Sequence, residues 1–168
     1  LLTGNLEQLV LSRVDRLTPK QKVALQTASA IGRDFSAHLL SDALGAPAPL
    51  VEIAKEPGLI EKQDSGQWRF THALIRDAVY ASLLNDQRQK THLQIAEALE
   101  TPDLGAKNWG LLAKHFQGSP QDERSVPYLV RAASQSLAVY AIFEVDQYLE
   151  QAMEYLETDP ALVDDALF

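Results

Sequence analysis

Apolar residues recur every three or four positions along most of the chain, and this spacing predicts a mainly helical protein. The start of the second helix is well marked, because Thr18 can cap it, Gln21 completes a capping box and Pro19 fits its first turn. Ser36 can cap the third helix, and Gly45 marks its end. The helices predicted in this part cover about residues 5–16, 18–31, 36–44 and 48–56.

The hydrophobic period changes near residue 59. Residues 59–62 and 68–71 form two strand-like runs, and Gln, Asp, Ser and Gly between them predict a five-residue β-hairpin loop. A helical pattern returns at once over residues 74–85. Three compact helices followed by a hairpin are the element order of a winged helix. We therefore expect a winged-helix domain over residues 18–86, preceded by a linker helix at 1–17.

The chain after residue 86 carries a helical pattern throughout. Helices of this length joined by short links predict stacked antiparallel hairpins, and residues 125–157 come closest to a tetratricopeptide (TPR) unit. We therefore expect a mainly α fold in which a TPR-like region at 87–168 follows the winged helix. The chain also ends within an apolar pattern, so we expect it to be a piece of a longer protein. The predicted helices are 87–100, 107–117, 122–138, 141–157 and one beginning near Pro160.

Composition narrows the choice of function. The 168 residues include no cysteine, so disulfides and thiolate metal sites are excluded. The net charge is −8, and residues 101–168 carry 11 Asp/Glu against 4 Lys/Arg, which disfavours a nucleic-acid partner. No apolar run has the roughly 20 residues of a membrane span, and no signal-peptide pattern is present. We expect a cytoplasmic protein that binds no membrane.

Motifs that carry chemistry are missing from the sequence. It contains no Gly-Lys-Ser/Thr of a phosphate-binding loop and no Gly-x-Ser-x-Gly of a hydrolase. The four histidines form no His-x-x-x-His pair, which disfavours a metal site. We therefore expect no catalytic residue, no metal and no enzymatic activity in this chain.

The histidines differ in their surroundings. His38, His92 and His115 each lie beside apolar residues at helical spacing, so we expect them to be partly buried packing residues. His72 instead follows the second strand and begins a helix. Its imidazole could point past the helix end and donate a hydrogen bond to another domain, or it could serve as a local cap or packing group. Position alone leaves both interpretations open.

A winged helix can also read DNA with its third helix, here about residues 48–56. That helix carries Glu52, Lys55 and Glu56, so its net charge has the wrong sign for a phosphate backbone. We keep a DNA-binding transcriptional regulator as an alternative function, but nucleic acid is not the partner we expect.

Four phrases of the sequence together carry a family likeness that extends over almost the whole chain. The chain resembles the STAND class of signal-transduction ATPases, in particular the bacterial branch fused to adenylate or guanylate cyclases or to transcriptional activators. In that class, a P-loop ATPase domain precedes helical and winged-helix domains and then repeats that sense a ligand or partner. The phrases are "LVLSRVDRLTPKQKVALQTASAIGRDFS", "FTHALIRDAVYASLL", "RQKTHLQIAEALE" and "LLAKHFQ".

The resemblance implies a role for His72. Related plant and animal STAND proteins carry a Met-His-Asp motif at the corresponding junction, and its histidine contacts the phosphate of a bound nucleotide. Here the three positions read Thr71-His72-Ala73, so only the histidine matches. The resemblance thus implies that His72 contacts a nucleotide or an absent neighbouring domain. Arg76, one turn later, is a possible helper in that contact, or else an exposed surface charge.

The leading hypothesis is a non-catalytic regulatory module that couples the nucleotide state of an adjacent ATPase domain to a partner or output domain. The resemblance implies ATP or ADP for the parent protein and no cofactor for this segment. It also implies the ATPase domain and a protein bound on the helical repeats as partners. Besides DNA binding, a plain helical-repeat adaptor for protein–protein interaction stays open as an alternative.

Overall fold

The computed structural model describes residues 2–101, 108–159 and 162. The chain is mainly helical, as the sequence predicts, and the predicted hairpin is part of a small three-stranded antiparallel sheet. It divides into two compact units, residues 1–95 and 96–168. This division falls inside a helix, whereas the sequence suggested boundaries at residues 17 and 86.

The first unit contains six helices that begin among its described residues. Their bounds agree with the predicted pattern to within a few residues, except that the fourth helix is a single turn. The helices are α1 (Leu2–Val14), α2 (Pro19–Ile31), α3 (Ala37–Leu44), α4 (Leu50–Ile53), α5 (Ala73–Ala81) and α6 (Asn85–Leu99).

The sheet combines the predicted hairpin with a third strand. The hairpin pairs β2 (Ile60–Lys62) with β3 (Trp68–Phe70), and the five-residue loop between them matches the prediction. The added strand, β1 (Asp34–Phe35), pairs with the other side of β3, so the strand order is β1-β3-β2. Two residues are too few to show a strand period, and the sequence therefore did not predict β1.

One hydrophobic core holds the first unit together. It joins α1 and α2 to the sheet and α5, so the expected linker helix contributes side chains to the same core as its neighbours. The rings of Phe35 and Phe70 meet in this core with centroids 5.6 Å apart. Its buried members include Val10, Val14, Leu17, Leu25, Leu40, Ile53, Leu59, Phe70, Ile75 and Val79.

The helix starts follow from local side-chain chemistry. Thr18 and Gln21 form the predicted capping box, in which the Thr18 N–H donates to Gln21 Oε1 at 2.8 Å and the Gln21 N–H donates to Thr18 Oγ1 at 3.4 Å. Ser36 Oγ accepts from the Leu39 N–H at 3.2 Å and caps α3. Each cap satisfies backbone donors that the helix itself leaves unpaired.

The second unit is helical over its described residues. Its helices α8 (Val126–Ala138) and α9 (Ile142–Thr158) are joined by three residues and pack on one another. Small alanines, Ala113 and Ala152, lie with Leu129 in the core and permit close approach of the helices. The predicted helix near Pro160 lies outside the described residues apart from Leu162. The elements are α7 (Trp109–Gln117), a 3-10 turn (Asp122–Ser125), α8 (Val126–Ala138) and α9 (Ile142–Thr158).

Glu100 links the end of α6 to the 3-10 turn and α8 within this unit. Arg124 Nη2 donates to Glu100 Oε2 at 2.7 Å, and the Tyr128 hydroxyl donates to Glu100 Oε1 at 2.6 Å. Burial raises the pKa of Tyr128 to about 12, and the bonded Glu100 carboxylate acts in the same direction. The phenol therefore keeps its proton where an ordinary tyrosine loses it.

Removal of the α2 cap should destabilise the first unit. Thr18→Ala leaves an unpaired backbone donor at the start of α2, so the free energy of unfolding in urea should fall by about 1 kcal/mol. Ser12→Ala is the matched control, because Ser12 is exposed in α1 and bonds only to the Leu9 carbonyl of its own helix. Equal losses in both variants would contradict a specific role for the cap.

Tyr128 should be a late-titrating tyrosine. Absorbance at 295 nm should show a phenol of pKa about 12 that Tyr128→Phe removes. Since the folded chain holds this proton more tightly than the unfolded chain, its stabilising effect is complete below pH 10 and is lost as pH rises toward 12. If the absorbance difference between the unaltered chain and Tyr128→Phe instead titrated with a midpoint near pH 10, the ordinary value for tyrosine, the Glu100 contact would be contradicted.

Candidate functional site at the junction of β3 and α5

Two buried side chains fix the junction between the sheet and α5. Phe70, at the end of β3, is fully buried, and Ile75 is buried in the first turn of α5. The Phe70 N–H also donates to the Arg33 carbonyl at 2.9 Å. Of the four residues between these anchors, Thr71 is half-buried and the other three are exposed, so the chain reaches the surface here.

Thr71 holds the first part of this excursion against a neighbouring loop. Its Oγ1 donates to the Gly58 carbonyl at 2.6 Å, and its N–H donates to the Leu59 carbonyl at 3.2 Å. The loop is held in turn by α1, because Arg13 Nη1 donates to the Pro57 carbonyl at 2.8 Å. The backbone position of His72, which follows Thr71, is thus set by α1, the loop and the sheet together.

His72 is the N-cap residue of α5. Its backbone is extended, with φ −137° and ψ 145°, and its carbonyl accepts from the Ile75 N–H at 3.1 Å. Its side chain is exposed and makes no capping hydrogen bond. The expected alternative of a local cap or packing role therefore has no support in these contacts. The helix N-terminus beside the ring carries partial positive charge.

Arg76 is bound within its own unit. Its Nε donates to the Ser29 carbonyl at 2.7 Å, and its Nη1 pairs with Asp77 at 2.9 Å. The Ser29 carbonyl belongs to the last turn of α2, where carbonyls lack partners in the helix and a cation is favourable. Arg76 thus ties α5 to α2, a role that neither expectation for this residue included.

Tyr80, one turn beyond Arg76, lies at the centre of a cluster of two arginines and a histidine that the sequence analysis missed. The guanidinium groups of Arg76 and Arg88 lie 4.9 Å and 4.8 Å from the ring centre of Tyr80. The Tyr80 hydroxyl lies 2.8 Å from His92 Nε2. The spacing of Arg76 to Tyr80 and of Arg88 to His92, four positions in each helix, was the available signal.

The other histidines divide into buried and exposed. The predicted burial is confirmed for His92 and for His115. It is wrong for His38, whose imidazole is largely exposed and lies 2.9 Å from the Asp42 carboxylate on the same helix. The apolar neighbours of His38 in sequence face the core, whereas its contact with Asp42 faces solvent.

The described residues form neither a metal site nor a membrane-spanning helix. In residues 2–101, 108–159 and 162, no group of three or more Asp, Glu and His side chains is placed to hold a metal ion. In the same part of the chain, no helix combines the length and the apolar character needed to cross a membrane. Among these described residues, the junction therefore holds no set of metal ligands.

Comparison with known proteins identifies a relative of unassigned function. No family model matches the chain, and no solved structure matches it. An uncharacterized protein of Rhizobium meliloti (strain 1021) is 27% identical over 159 residues, an alignment that covers 88% of this chain and 15% of the relative. The chain thus spans about 15% of the length of the curated relative that it matches.

Gly58 should be more sensitive to substitution than the other loop glycine of the hairpin region. Gly58 has φ +80°, and a Cβ there would lie 2.8 Å from Arg13 Nη1, the atom that holds the loop. Gly66 has φ +83° and open space around it. Both alanine variants bear the cost of a left-handed backbone. Gly58→Ala should in addition displace Arg13 and loosen the junction, so its free energy of unfolding should fall by about 1 kcal/mol more than that of Gly66→Ala. Urea unfolding curves of equal midpoint would contradict this assignment.

Proposed function

We propose that this chain is a non-catalytic regulatory module of a multidomain STAND-type ATPase. In this proposal, residues 18–86 form a winged helix that contacts an adjacent ATPase domain and responds to its nucleotide state. Residues 87–168 form a TPR-like region that binds a protein partner or an output domain. ATP or ADP is bound by the parent protein and not by this segment.

The observation that carries the proposal is the exposed imidazole of His72 at the head of α5. Thr71 and the loop at Gly58 fix the backbone beside it, so the ring is presented from a rigid base. An imidazole beside a helix N-terminus suits a phosphate oxygen, because both the N–H donor and the helix dipole favour an anion.

The surrounding elements support the two expected domain types. A hairpin that follows three helices and pairs with a short third strand is consistent with a winged helix. The packed pair α8 and α9, with Ala132, Ala133 and Ala152 buried, is consistent with a TPR-like unit.

The physical basis of regulation is a contact made in one state only. A nucleotide that holds His72 against the ATPase domain in one state shifts the balance between closed and open forms by the difference in contact energy. Arg76 contributes indirectly, because its bond to the Ser29 carbonyl fixes α5 against α2.

DNA binding receives no support from the geometry. The expected reading helix is reduced to α4, four residues that include Glu52. One helical turn with an acidic side chain offers a poor surface for a phosphate backbone.

His72→Ala should weaken nucleotide binding in a protein that carries this chain behind its ATPase domain. Loss of one hydrogen bond to a charged phosphate should raise the Kd for ADP about tenfold, measured by isothermal titration calorimetry. His38→Ala is the matched control, since His38 is exposed on the same unit and pairs only with Asp42. Unchanged ADP affinity and unchanged output activity would favour the plain adaptor instead.

A further inference from the structure

Helix α9 has a second apolar face that no described residue covers. The side chains of Ala152 and Tyr148 face the core shared with α8, but Leu149 and Met153 are 44% and 54% exposed. Ile142, 53% exposed, precedes them on the same side of the helix at a spacing of seven residues. The exposed stripe therefore follows most of the length of α9.

Acidic side chains border this stripe along one flank. A groove of about 440 Å³ is lined by two apolar and four acidic side chains, which we call the α9 groove: Asp146, Leu149, Glu150, Met153, Glu154 and Glu157. Residues 142–158 contain no Lys or Arg. Among the ion pairs between described residues, none uses these four carboxylates.

The charge of the groove selects its occupant. A second copy of this chain that docked antiparallel through the same face would bring the two acidic flanks together, which is unfavourable, and a copy of the same acidic face supplies no Lys or Arg in either orientation. Residues 159–168 carry three further Asp and no Lys or Arg, so their charge is also of the wrong sign. A partner with apolar and basic side chains on one face meets both requirements.

We propose that the α9 groove binds a basic amphipathic helix of a partner protein. Its apolar side chains would lie on Leu149 and Met153, and its Lys or Arg side chains would face the carboxylates. The groove runs from Asp146 to Glu157, about 18 Å at 1.5 Å rise per residue, so it matches a helix of about three turns. This inference rests on the partner-binding half of the proposed function and does not involve His72.

The direct test uses a fluorescent synthetic peptide of about 18 residues that contains only Leu and Lys. Leu is placed every three or four positions, so that a helix would carry Leu on one face and Lys on the other. Its anisotropy is measured with the whole 168-residue chain at low and at moderate salt. A peptide with Glu in place of each Lys tests the charge, and a peptide of the same composition in strand-like alternation tests the helical pattern. We expect binding of the helical Lys peptide alone, weakened by salt.

Two double variants locate the site. Leu149→Ser/Met153→Ser removes the apolar stripe and should lower affinity about tenfold, whereas Glu150→Gln/Glu154→Gln should lower it about threefold and reduce the salt dependence. The matched controls are Val51→Ser and Glu52→Gln, at exposed positions of the first unit, and should bind as the unaltered chain does. Circular dichroism verifies that every variant is folded.

Three results would overturn the inference. They are equal binding of the Lys and Glu peptides, unchanged binding by both groove variants, or a dimer of the chain that Leu149→Ser/Met153→Ser dissociates. The last result would identify a second copy as the occupant. Because the assay contains no ATPase domain and no nucleotide, its failure leaves the His72 hypothesis untouched, and failure of the His72 test leaves this one untouched.

Discussion

The burial of Phe70 and Ile75 is the constraint on which the rest of the first unit depends. Phe70 meets Phe35 in the core and so joins β3 to β1, while Ile75 anchors the first turn of α5. Only four residues separate the two anchors. The link runs along the surface, and the bonds of Thr71 to the loop at Gly58 and Leu59 hold it there. The exposure of His72 follows from the packing on either side of it.

Local chemistry made much of this fold predictable from the sequence. The change from a helical to an alternating pattern near residue 59 predicts the hairpin, because side chains follow the period of the backbone that carries them. Thr18 and Ser36 predict helix starts, since each needs only residues within one turn to act as a cap. The exposed position of His72 was one of two alternatives that the sequence left open.

The remaining features depend on contacts between residues distant in sequence. Strand β1 forms because Phe35 reaches β3, more than thirty positions later, and two residues carry no period of their own. Arg76 finds its acceptor on α2, 47 positions away. His38 was misjudged because an apolar neighbourhood in sequence does not say which side of the helix faces the core. The two faces of α9 likewise show their difference only once α8 is in place.

The two proposals give the units separate tasks, a nucleotide-dependent contact at His72 and a partner contact at the α9 groove. Histidine footprinting with diethylpyrocarbonate and mass spectrometry tests the central claim most directly. In the isolated chain, His72 and His38 should react quickly, and the buried His92 and His115 slowly. In a protein that also carries the ATPase domain with ADP bound, His72 alone should become protected. A His72 that is unreactive in the isolated chain, or that stays as reactive as His38 in the ADP-bound protein, would contradict the account.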